Sequence, residues 1–272
     1  VRYFKFYGAL ADTSLGTTLD LGPGVDVRTV REPFGPTVHI IPWNSPLLML
    51  TWKICPALAG GNTIVLKPAE DTPVSALLFA KLLQELDLPP GVINIVPGFG
   101  NRAGDALVTH PSVDKIAFTG STVTGKIIAA KAAQTMKLAT FELGGKSPNI
   151  IFPDADLDEA VKRSAFGIFS AAGQSCMAAS RTLVHRSVKE EFVARFAEKA
   201  KAIRVGNPQL ATTQMGAQTS QRQLEKIKSY VAIGVNEGAT VVTGGQAPQS
   251  AETAGGFFFT PTILDNVDNR MR

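Results

Sequence analysis

The chain alternates between short apolar segments rich in β-branched residues and longer segments with helical periodicity, and this alternation constrains the fold more than any other feature. In the first half, the pattern predicts strands at Thr37–Ile41, Thr63–Leu66, Val92–Val96, Lys115–Phe118 and Lys137–Glu142. The segments between them predict helices at Leu47–Leu58, Val74–Leu86, Arg102–Thr109 and Thr122–Ala133. Because apolar strands separated by helices form βαβ units, we predict an α/β fold with a parallel sheet.

A second α/β set follows the glycines Gly144 and Gly145, where we place the domain boundary. Its predicted helices are Leu157–Ala172, Lys189–Ile203 and Ser220–Glu237. Its predicted strands are Asn149–Phe152, Thr182–His185, Thr240–Thr243 and a closing strand, Phe257–Ile263. The 272 residues are enough for one large domain or for two ordinary domains with a buried core.

The composition excludes several classes of protein. Apolar residues make up 44% and charged residues 18% of the chain, which indicates a globular protein rather than a disordered one. The net charge of +4 comes from scattered basic residues, so nucleic acid is not an expected partner. The longest uncharged stretch, Pro33–Trp52, contains four prolines, so we expect a buried strand and helix there rather than a membrane span.

The cysteines and the N-terminus carry further expectations. Cys55 and Cys176 are too few for a disulfide framework, so we expect a reducing compartment, the cytoplasm. Arg2 and Lys5 interrupt the apolar N-terminus, which is therefore not expected to be a signal peptide. Because the first residue is a valine rather than a methionine, we expect the chain to be a fragment or a processed product.

Cys176 is the first candidate for chemistry. It lies in Ser164–Ser180, a stretch of 17 residues without a charged side chain, and it follows Gly173, Gln174 and Ser175. A cysteine in such surroundings is either a nucleophile or a small core residue, and the composition alone favours the core. Cys55 has similar surroundings inside a predicted helix, and we assign it to core packing.

Glu142 ends one predicted strand of the parallel sheet, and Asn44 follows another. The carboxyl ends of such strands face the ligand crevice in folds of this class. A glutamate that is partly desolvated there is suited to general-base work; the alternative is a salt bridge to Lys146. The amide of Asn44 could donate to a developing oxyanion; the alternative is a turn residue.

Three segments are candidates for binding a nucleotide. Gly98, Gly100 and Gly104 come close to a dinucleotide fingerprint, which is weak evidence alone. The segment from Phe118 to Ser121 precedes a helix, whose N-terminus attracts anions. The segment from Lys67 to Glu70 follows a strand, and its charges either bind ribose hydroxyls or lie on the surface.

Taken together, these strings resemble the aldehyde dehydrogenase superfamily over nearly the whole chain. They occur in the family's order, and the interval of 34 residues between Glu142 and Cys176 is the usual one. The matching strings are Pro42-Trp43-Asn44, Lys67-Pro68-Ala69-Glu70, Phe118-Thr119-Gly120-Ser121-Thr122, Glu142-Leu143-Gly144-Gly145-Lys146 and Gly173-Gln174-Ser175-Cys176.

The resemblance implies the oxidation of an aldehyde to a carboxylic acid with NAD(P)+. The Cys176 thiolate would attack the aldehyde, and the Asn44 amide and the backbone N–H of Cys176 would hold the oxyanion. After hydride transfer to the nicotinamide, Glu142 would activate the water that hydrolyses the thioester. Lys67 is implied both in the catalytic set and in the cofactor set, and no metal is implied.

The resemblance also implies the residues that bind the cofactor and the preference between cofactors. Lys67 and Glu70 would contact the adenosine ribose, and because Glu70 would repel a 2′-phosphate we expect NAD+ to be preferred, with NADP+ still possible. The implied contacts are Ile40, Ile41, Pro42, Trp43, Lys67, Pro68, Ala69, Glu70, Gly100, Phe118, Thr119, Gly120, Ser121, Gly125, Leu143 and Gly144.

By resemblance, the chain has three parts. Residues 1–33 would hold an N-terminal helix and, at Thr17–Val30, a hairpin for assembly into a homodimer or homotetramer. Residues 34–144 would form a Rossmann-like dinucleotide-binding domain, and residues 145–272 an α/β catalytic domain, with both ends of the fold truncated. The partner would be a small aldehyde, with no membrane and no nucleic acid.

Family members are much longer than this chain, and the segment that grips the nicotinamide ribose would lie beyond Arg272. We therefore expect these 272 residues alone to be a weak or inactive enzyme. Two alternatives stay open: an inactive fragment that only folds or binds dinucleotide, and a member of the family that transfers the acyl group to CoA. Glu142 favours water over CoA, because hydrolysis needs a base.

Overall fold

The computed structural model describes residues 1–13 and 15–272. The chain divides into two compact units, Val1–Leu143 and Gly144–Arg272. Each unit is an assembly of helices on β-strands, so the predicted α/β class is confirmed. Among the described residues, no helix has the length and apolar character needed to cross a membrane.

The first unit is built on a five-stranded, wholly parallel sheet of β3 (Pro36–Ile40), β4 (Thr63–Lys67), β5 (Ile93–Ile95), β6 (Lys115–Gly120) and β7 (Leu138–Leu143). The strands lie in the order β5-β4-β3-β6-β7. The strand of this sheet that comes first in the chain, β3, is central, and the later strands add first on one side and then on the other. All five predicted strands are confirmed to within one or two residues at each end.

Helices cover both faces of this sheet. Strand residues alternate between the faces, so Val38 and Ile40 of β3 pack in a cluster with Val108 and Ile128, while Ile41 packs in another with Leu50. The helices of the unit are α1 (Arg2–Ala11), α2 (Pro46–Ala59), α3 (Val74–Leu83), α4 (Asp105–Thr109) and α5 (Thr122–Ala133).

In the first unit, two of the predicted helices differ from the observed ones. The helix predicted at Val74–Leu86 ends at Leu83, because the next N–H groups bond to carbonyls three residues back and tighten the last turn. The helix predicted at Arg102–Thr109 is a π-helical turn, Gly100–Gly104, followed by the short α4. The π turn follows β5 in the chain, after the loop of residues 96–99.

The segment before the sheet contains the predicted hairpin. Its strands β1 (Thr18–Asp20) and β2 (Asp26–Arg28) pair antiparallel, and Thr29 donates its N–H to the carbonyl of Thr17 at 2.8 Å. The hairpin at Thr17–Val30 is therefore present as a structure. Its role in assembly and the division of the chain into three parts by role stay predictions.

The second unit has smaller sheets and long helices. Its strands form a parallel pair, β8 (Pro148–Ile151) with β9 (Arg181–Val184), and an antiparallel pair, β10 (Thr240–Thr243) with β11 (Ile263–Asp265). Its core is a cluster around Phe192. The α-helices are α6 (Leu157–Phe169), α7 (Lys189–Lys201) and α8 (Gln221–Asn236).

The closing strand predicted at Phe257–Ile263 is wrong. Only its last residue belongs to β11, and the backbone before it bonds to loops: Phe257 accepts from the N–H of Gln218, and Thr260 donates to Gln246. Pro261 has no N–H to give to a ladder, which is a second reason why the strand starts late.

A buried histidine lies at the centre of the first unit. The Nε2 atom of His39, on β3, lies 2.9 Å from Oγ1 of Thr37, which donates its single hydrogen to the carbonyl of Thr63 at 2.8 Å. Nε2 must therefore be the protonated nitrogen, and Nδ1 has no partner among the described residues. Burial, followed by the charges of Lys53 and Lys115, lowers the pKa of His39 from 6.5 to about 4.

We expect this histidine to weaken the fold in mild acid. Between pH 6.5 and about 4, the unfolded chain binds a proton at His39 that the folded chain does not, so stability falls as the pH falls through this window. Replacing His39 with glutamine keeps a donor for Thr37 and removes the titration. Relative to the H39Q variant, the native chain should lose about 3 kcal/mol at most across the window, as measured by urea unfolding at pH 7 and pH 4.

The matched control is H110Q, a substitution at an exposed histidine of the same unit. It should leave the loss of stability across the window at the native value. Equal losses in the native chain and in H39Q would show that the buried imidazole does not carry the effect.

Candidate functional site

The candidate residues of the first unit lie at one edge of the parallel sheet. Ile40 at the end of β3 is in register with Lys67 of β4 on one side and with Phe118 of β6 on the other. On β7, Glu142 is in register with Thr119, and Leu143 with Gly120. The strand order reverses between β3 and β6, and in open α/β sheets ligands bind beyond the carboxyl ends at such a point.

Lys67 is a buried cation at this edge. Its side chain is 3% exposed, and its ammonium donates to the carbonyl of Pro68 at 2.9 Å and to Oε2 of Glu70 at 3.5 Å. Its stem passes Gly104, where a built Cβ would lie 3.5 Å from the lysine carbons. An ammonium has three hydrogens, so the described residues leave one of them for a ligand oxygen.

The turn from β6 into α5 leads into a capped helix. Ser121 is the N-cap of α5, and its hydroxyl accepts from the N–H of Thr124 at 3.2 Å. The cap fixes the first turn of the helix, whose remaining N–H groups and positive dipole end face the space beyond the sheet edge. This is the strand-to-helix turn that the sequence predicted for a phosphate.

Glycines at this edge allow close packing. A Cβ on Gly120 would lie 2.5 Å from the ring of Phe118, and one on Gly125 would lie 2.8 Å from a methyl group of Leu143. The ring of Phe118 is 3% exposed and belongs to the core, so it supports Gly120 from below and only its backbone reaches the edge. Gly100 begins the π turn, and a Cβ there would meet nothing within 4 Å.

Glu142 is exposed within its unit, contrary to the partial desolvation expected from sequence. Its electrostatic neighbour is Lys53 of α2, which the sequence analysis did not single out. Burial lowers the pKa of Lys53 from 10.5 to about 8, and the charge of Glu142 acts in the opposite direction. The signal that could have found Lys53 is its place as the single charged residue of an apolar helix.

Asn44 lies in the bend between β3 and α2. It is half-buried, and Pro46 opens the helix two residues later. The neighbouring backbone is fixed, because the hydroxyl of Thr72 donates to the carbonyl of Trp43 at 3.3 Å. Asn44 therefore lies at the same edge as Lys67 and Glu142, where the sequence predicted it.

In the second unit, Cys176 lies at the tip of a tight turn. Ser175 and Ala178 close the turn with a backbone hydrogen bond of 3.1 Å, and the hydroxyl of Ser175 accepts from the N–H of Met177 at 3.2 Å. The thiol residue is exposed. Its own N–H donates to no acceptor among the described residues, so it remains available to an oxyanion.

Position 145, just before the first strand of the second unit, has little room for a side chain. A Cβ built there would lie 3.1 Å from the carbonyl oxygen of Cys176, so a larger residue would push the turn away. The next residue is also tied to the segment after the turn, because Arg181 donates Nε to the carbonyl of Lys146 at 2.9 Å. The position of the cysteine backbone therefore depends on Gly145 and on the path of the chain beside it.

The chain reaches this turn through a strained segment. The helix predicted at Leu157–Ala172 ends at Phe169, because Ala171 and Ala172 have φ of 49° and 56° and Gly173 has φ of 71°. The left-handed conformation costs about 1–2 kcal/mol for each alanine. Contacts elsewhere in the unit must offset this cost.

Comparison with known proteins gives a consistent result. The model of the "Aldehyde dehydrogenase family" matches residues 1–272. The chain is 48% identical over 269 residues to "Aldehyde dehydrogenase" of Emericella nidulans, covering 98% of this chain and 53% of that protein. It is 48% identical over 273 residues to human "Retinal dehydrogenase 2", covering 100% of this chain and 52% of that protein.

Solved structures agree with the sequence comparison. The NAD+ complex of aldehyde dehydrogenase from Bacillus cereus superposes with a TM-score of 0.95 at 44% identity, covering 99% of this chain and 54% of that one. The chain thus spans about half the length of the curated relatives it matches.

We expect a slow alkylating reagent to modify Cys176 before Cys55 in the native protein. Cys176 is exposed at the tip of a turn, whereas Cys55 is 3% exposed and burial raises the pKa of its thiol, so that it holds little thiolate. Peptide mapping after partial labelling measures the ratio of the two adducts.

A C176S variant should lose the fast-reacting thiol, and unfolding in denaturant should make the two cysteines of the native sequence react at similar rates. Faster labelling of Cys55 in the folded chain would contradict the assignment.

Proposed function

We propose, on the premise that the chain belongs to the aldehyde dehydrogenase family, that it carries the cofactor-binding and thiol-bearing parts of an enzyme that oxidises a small aldehyde to a carboxylic acid with NAD+. The observation that carries the proposal is the turn at Cys176, which combines an exposed thiol with an unused backbone N–H. An acyl-transfer nucleophile needs this combination, because attack creates an oxyanion beside the sulfur.

The relatives support the reaction class. One of them is a retinal dehydrogenase, and a solved aldehyde dehydrogenase is described as a complex with NAD+. Because the chain spans about half the length of these proteins, the proposed activity is that of the whole protein to which these residues belong.

The residues of the first unit fit a dinucleotide. The buried ammonium of Lys67 has a donor left for a ribose hydroxyl, and the Glu70 carboxylate beside it would accept a hydrogen bond from such a hydroxyl. The capped N-terminus of α5 at Ser121, with Gly120 before it, would hold the pyrophosphate. The remaining contacts proposed from the resemblance follow the same strand ends, at Ile40, Ile41, Pro42, Trp43, Pro68, Ala69, Gly100, Phe118, Thr119, Gly125, Leu143 and Gly144.

The first chemical step belongs to Cys176. Its thiolate attacks the carbonyl carbon, a C–S bond forms, and the carbonyl electron pair moves onto oxygen. By the family resemblance, the N–H of Cys176 and the side-chain amide of Asn44 would donate to that oxygen. When bound, NAD+ supplies the hydride acceptor that converts the thiohemiacetal to a thioester.

The second step belongs to Glu142. Its carboxylate takes a proton from water, the hydroxide attacks the thioester carbon, and the C–S bond breaks to release the acid and the Cys176 thiolate. Within its own unit the carboxylate is exposed to water, and its charge opposes the burial that lowers the pKa of Lys53. A carboxylate that is open to water suits hydrolysis better than transfer to CoA.

Replacing Glu142 with glutamine should slow thioester hydrolysis more than hydride transfer. In the longest form of the protein that can be expressed, a burst of NADH should survive while the steady rate falls by about 10²-fold. Stopped-flow absorbance at the NADH band, followed into the steady state, measures both phases.

The control is E85Q, at an exposed glutamate of the same unit that has no proposed role. It should leave burst and steady rate unchanged. Equal reductions of both phases in E142Q would show that Glu142 is not the base for hydrolysis, and formation of NADH only when CoA is added would favour the acylating alternative.

The proposed role of Glu70 also predicts which cofactor is preferred. Glu70 lies 3.5 Å from the Lys67 ammonium, so a carboxylate stands where the adenosine ribose is proposed to bind, and it repels a 2′-phosphate. We expect a lower Michaelis constant for NAD+ than for NADP+, and a narrower gap in the variant E70Q. Initial rates with each cofactor give both values, and a lower constant for NADP+ in the native protein would refute this assignment of Glu70.

A further inference from the structure

The turn that carries Cys176 begins with a backbone that its own sequence does not favour. Ser170, Ala171 and Ala172 follow α6 directly, and alanine is the strongest helix former, so local propensity would continue the helix. The structure instead places Ala171, Ala172 and Gly173 in the left-handed region. Conflict between local preference and observed conformation is typical of a functional site, and it requires contacts that hold the segment from outside.

Two glutamines supply these contacts, and we name Gln174 and Gln218 together the glutamine clamp. Gln218 donates its side-chain N–H to the carbonyl of Ala172 at 3.3 Å. Gln174 donates both its backbone N–H, at 3.1 Å, and its side-chain N–H, at 3.2 Å, to the carbonyl of Ala171. Its side-chain oxygen accepts from the N–H of Thr219 at 2.9 Å.

Gln218, the second residue of the glutamine clamp, is itself held in place. Gln218 is 5% exposed, and its backbone N–H donates to the carbonyl of Phe257 at 2.8 Å. Its bond to Ala172 spans 46 residues of sequence, and the bond between Thr219 and Gln174 spans 45. The left-handed segment is therefore tied to a buried part of the same unit just before the chain enters the cysteine turn.

We propose that Gln218 is a positioning residue for Cys176. The described side-chain hydrogen bond of Gln218 goes to the carbonyl of Ala172, so it acts on Cys176 through the backbone before the turn. By holding the carbonyl of Ala172, it prevents α6 from extending and so fixes where Gln174, Ser175 and Cys176 begin their turn. The proposal rests on the proposed function, in which Cys176 is the nucleophile. Loss of the bond would let the alanines return to the helical region and would rotate the thiol and its N–H away from the working geometry.

The test replaces Gln218 with methionine, which has a similar length and no donor. Hydrogen exchange of the amides in residues 170–180 should become about tenfold faster, because the segment opens locally, with the rest of the second unit unchanged. In the longest expressible form, kcat for aldehyde oxidation should fall about tenfold or more while the Michaelis constant for NAD+ stays constant. The matched control is Q214M, at an exposed glutamine of the same unit that accepts from the N–H of Arg204 at 3.0 Å.

A second substitution separates positioning from general stability. Glycine adopts positive φ without the penalty of alanine, so Ala172→Gly in the Q218M background should restore most of the lost kcat. The proposal is overturned if Q218M matches Q214M in exchange, if exchange rises throughout the second unit, or if A172G restores nothing. Failure of the native protein to oxidise any aldehyde would refute the proposed function alone; the exchange comparison would still support or overturn the clamp.

Discussion

The hydrogen-bond ladders on the two sides of β3 are the constraint on which the first unit depends. Because β3 pairs in parallel with both β4 and β6, the ends of these strands meet at one edge in a fixed register. Lys67, Ser121 and Glu142 follow or end different strands, and only the parallel pairing places them along that edge. A shift of one residue in any ladder would turn these side chains to the opposite face.

The second unit positions its reactive group in another way. The thiol of Cys176 lies on a turn, where no ladder fixes the backbone, and its place depends on a glycine with no room for a side chain and on side-chain amides that hold a left-handed segment. Regular structure therefore orders the proposed cofactor contacts, whereas packing and a few side-chain hydrogen bonds order the proposed nucleophile. The second arrangement is more sensitive to single substitutions, because fewer interactions share the task.

The sequence predicted what local signals determine. The bounds of α5 were predicted correctly at Thr122–Ala133, because Ser121 is a local cap, and the strands were found from their own apolar residues. Where distant residues decide, the predictions were wrong: α6 stops before Ala171 because of contacts with residues far along the chain, and the strand expected from Phe257 bonds to loops instead. The electrostatic interaction between Glu142 and Lys53 depends on how α2 packs on the sheet. No local sequence pattern shows that packing.

The difference in burial between the two cysteines has a consequence for how the thiol of Cys176 responds to oxidation. An exposed thiolate is readily oxidised to a sulfenic acid, which a neighbouring thiol can rescue by forming a disulfide. The chain has one other cysteine, Cys55, which is enclosed in the core of the first unit and reactive only if that core opens. Within these 272 residues, the folded chain therefore offers an oxidised Cys176 no accessible partner thiol, so its reduction relies on a thiol from outside them.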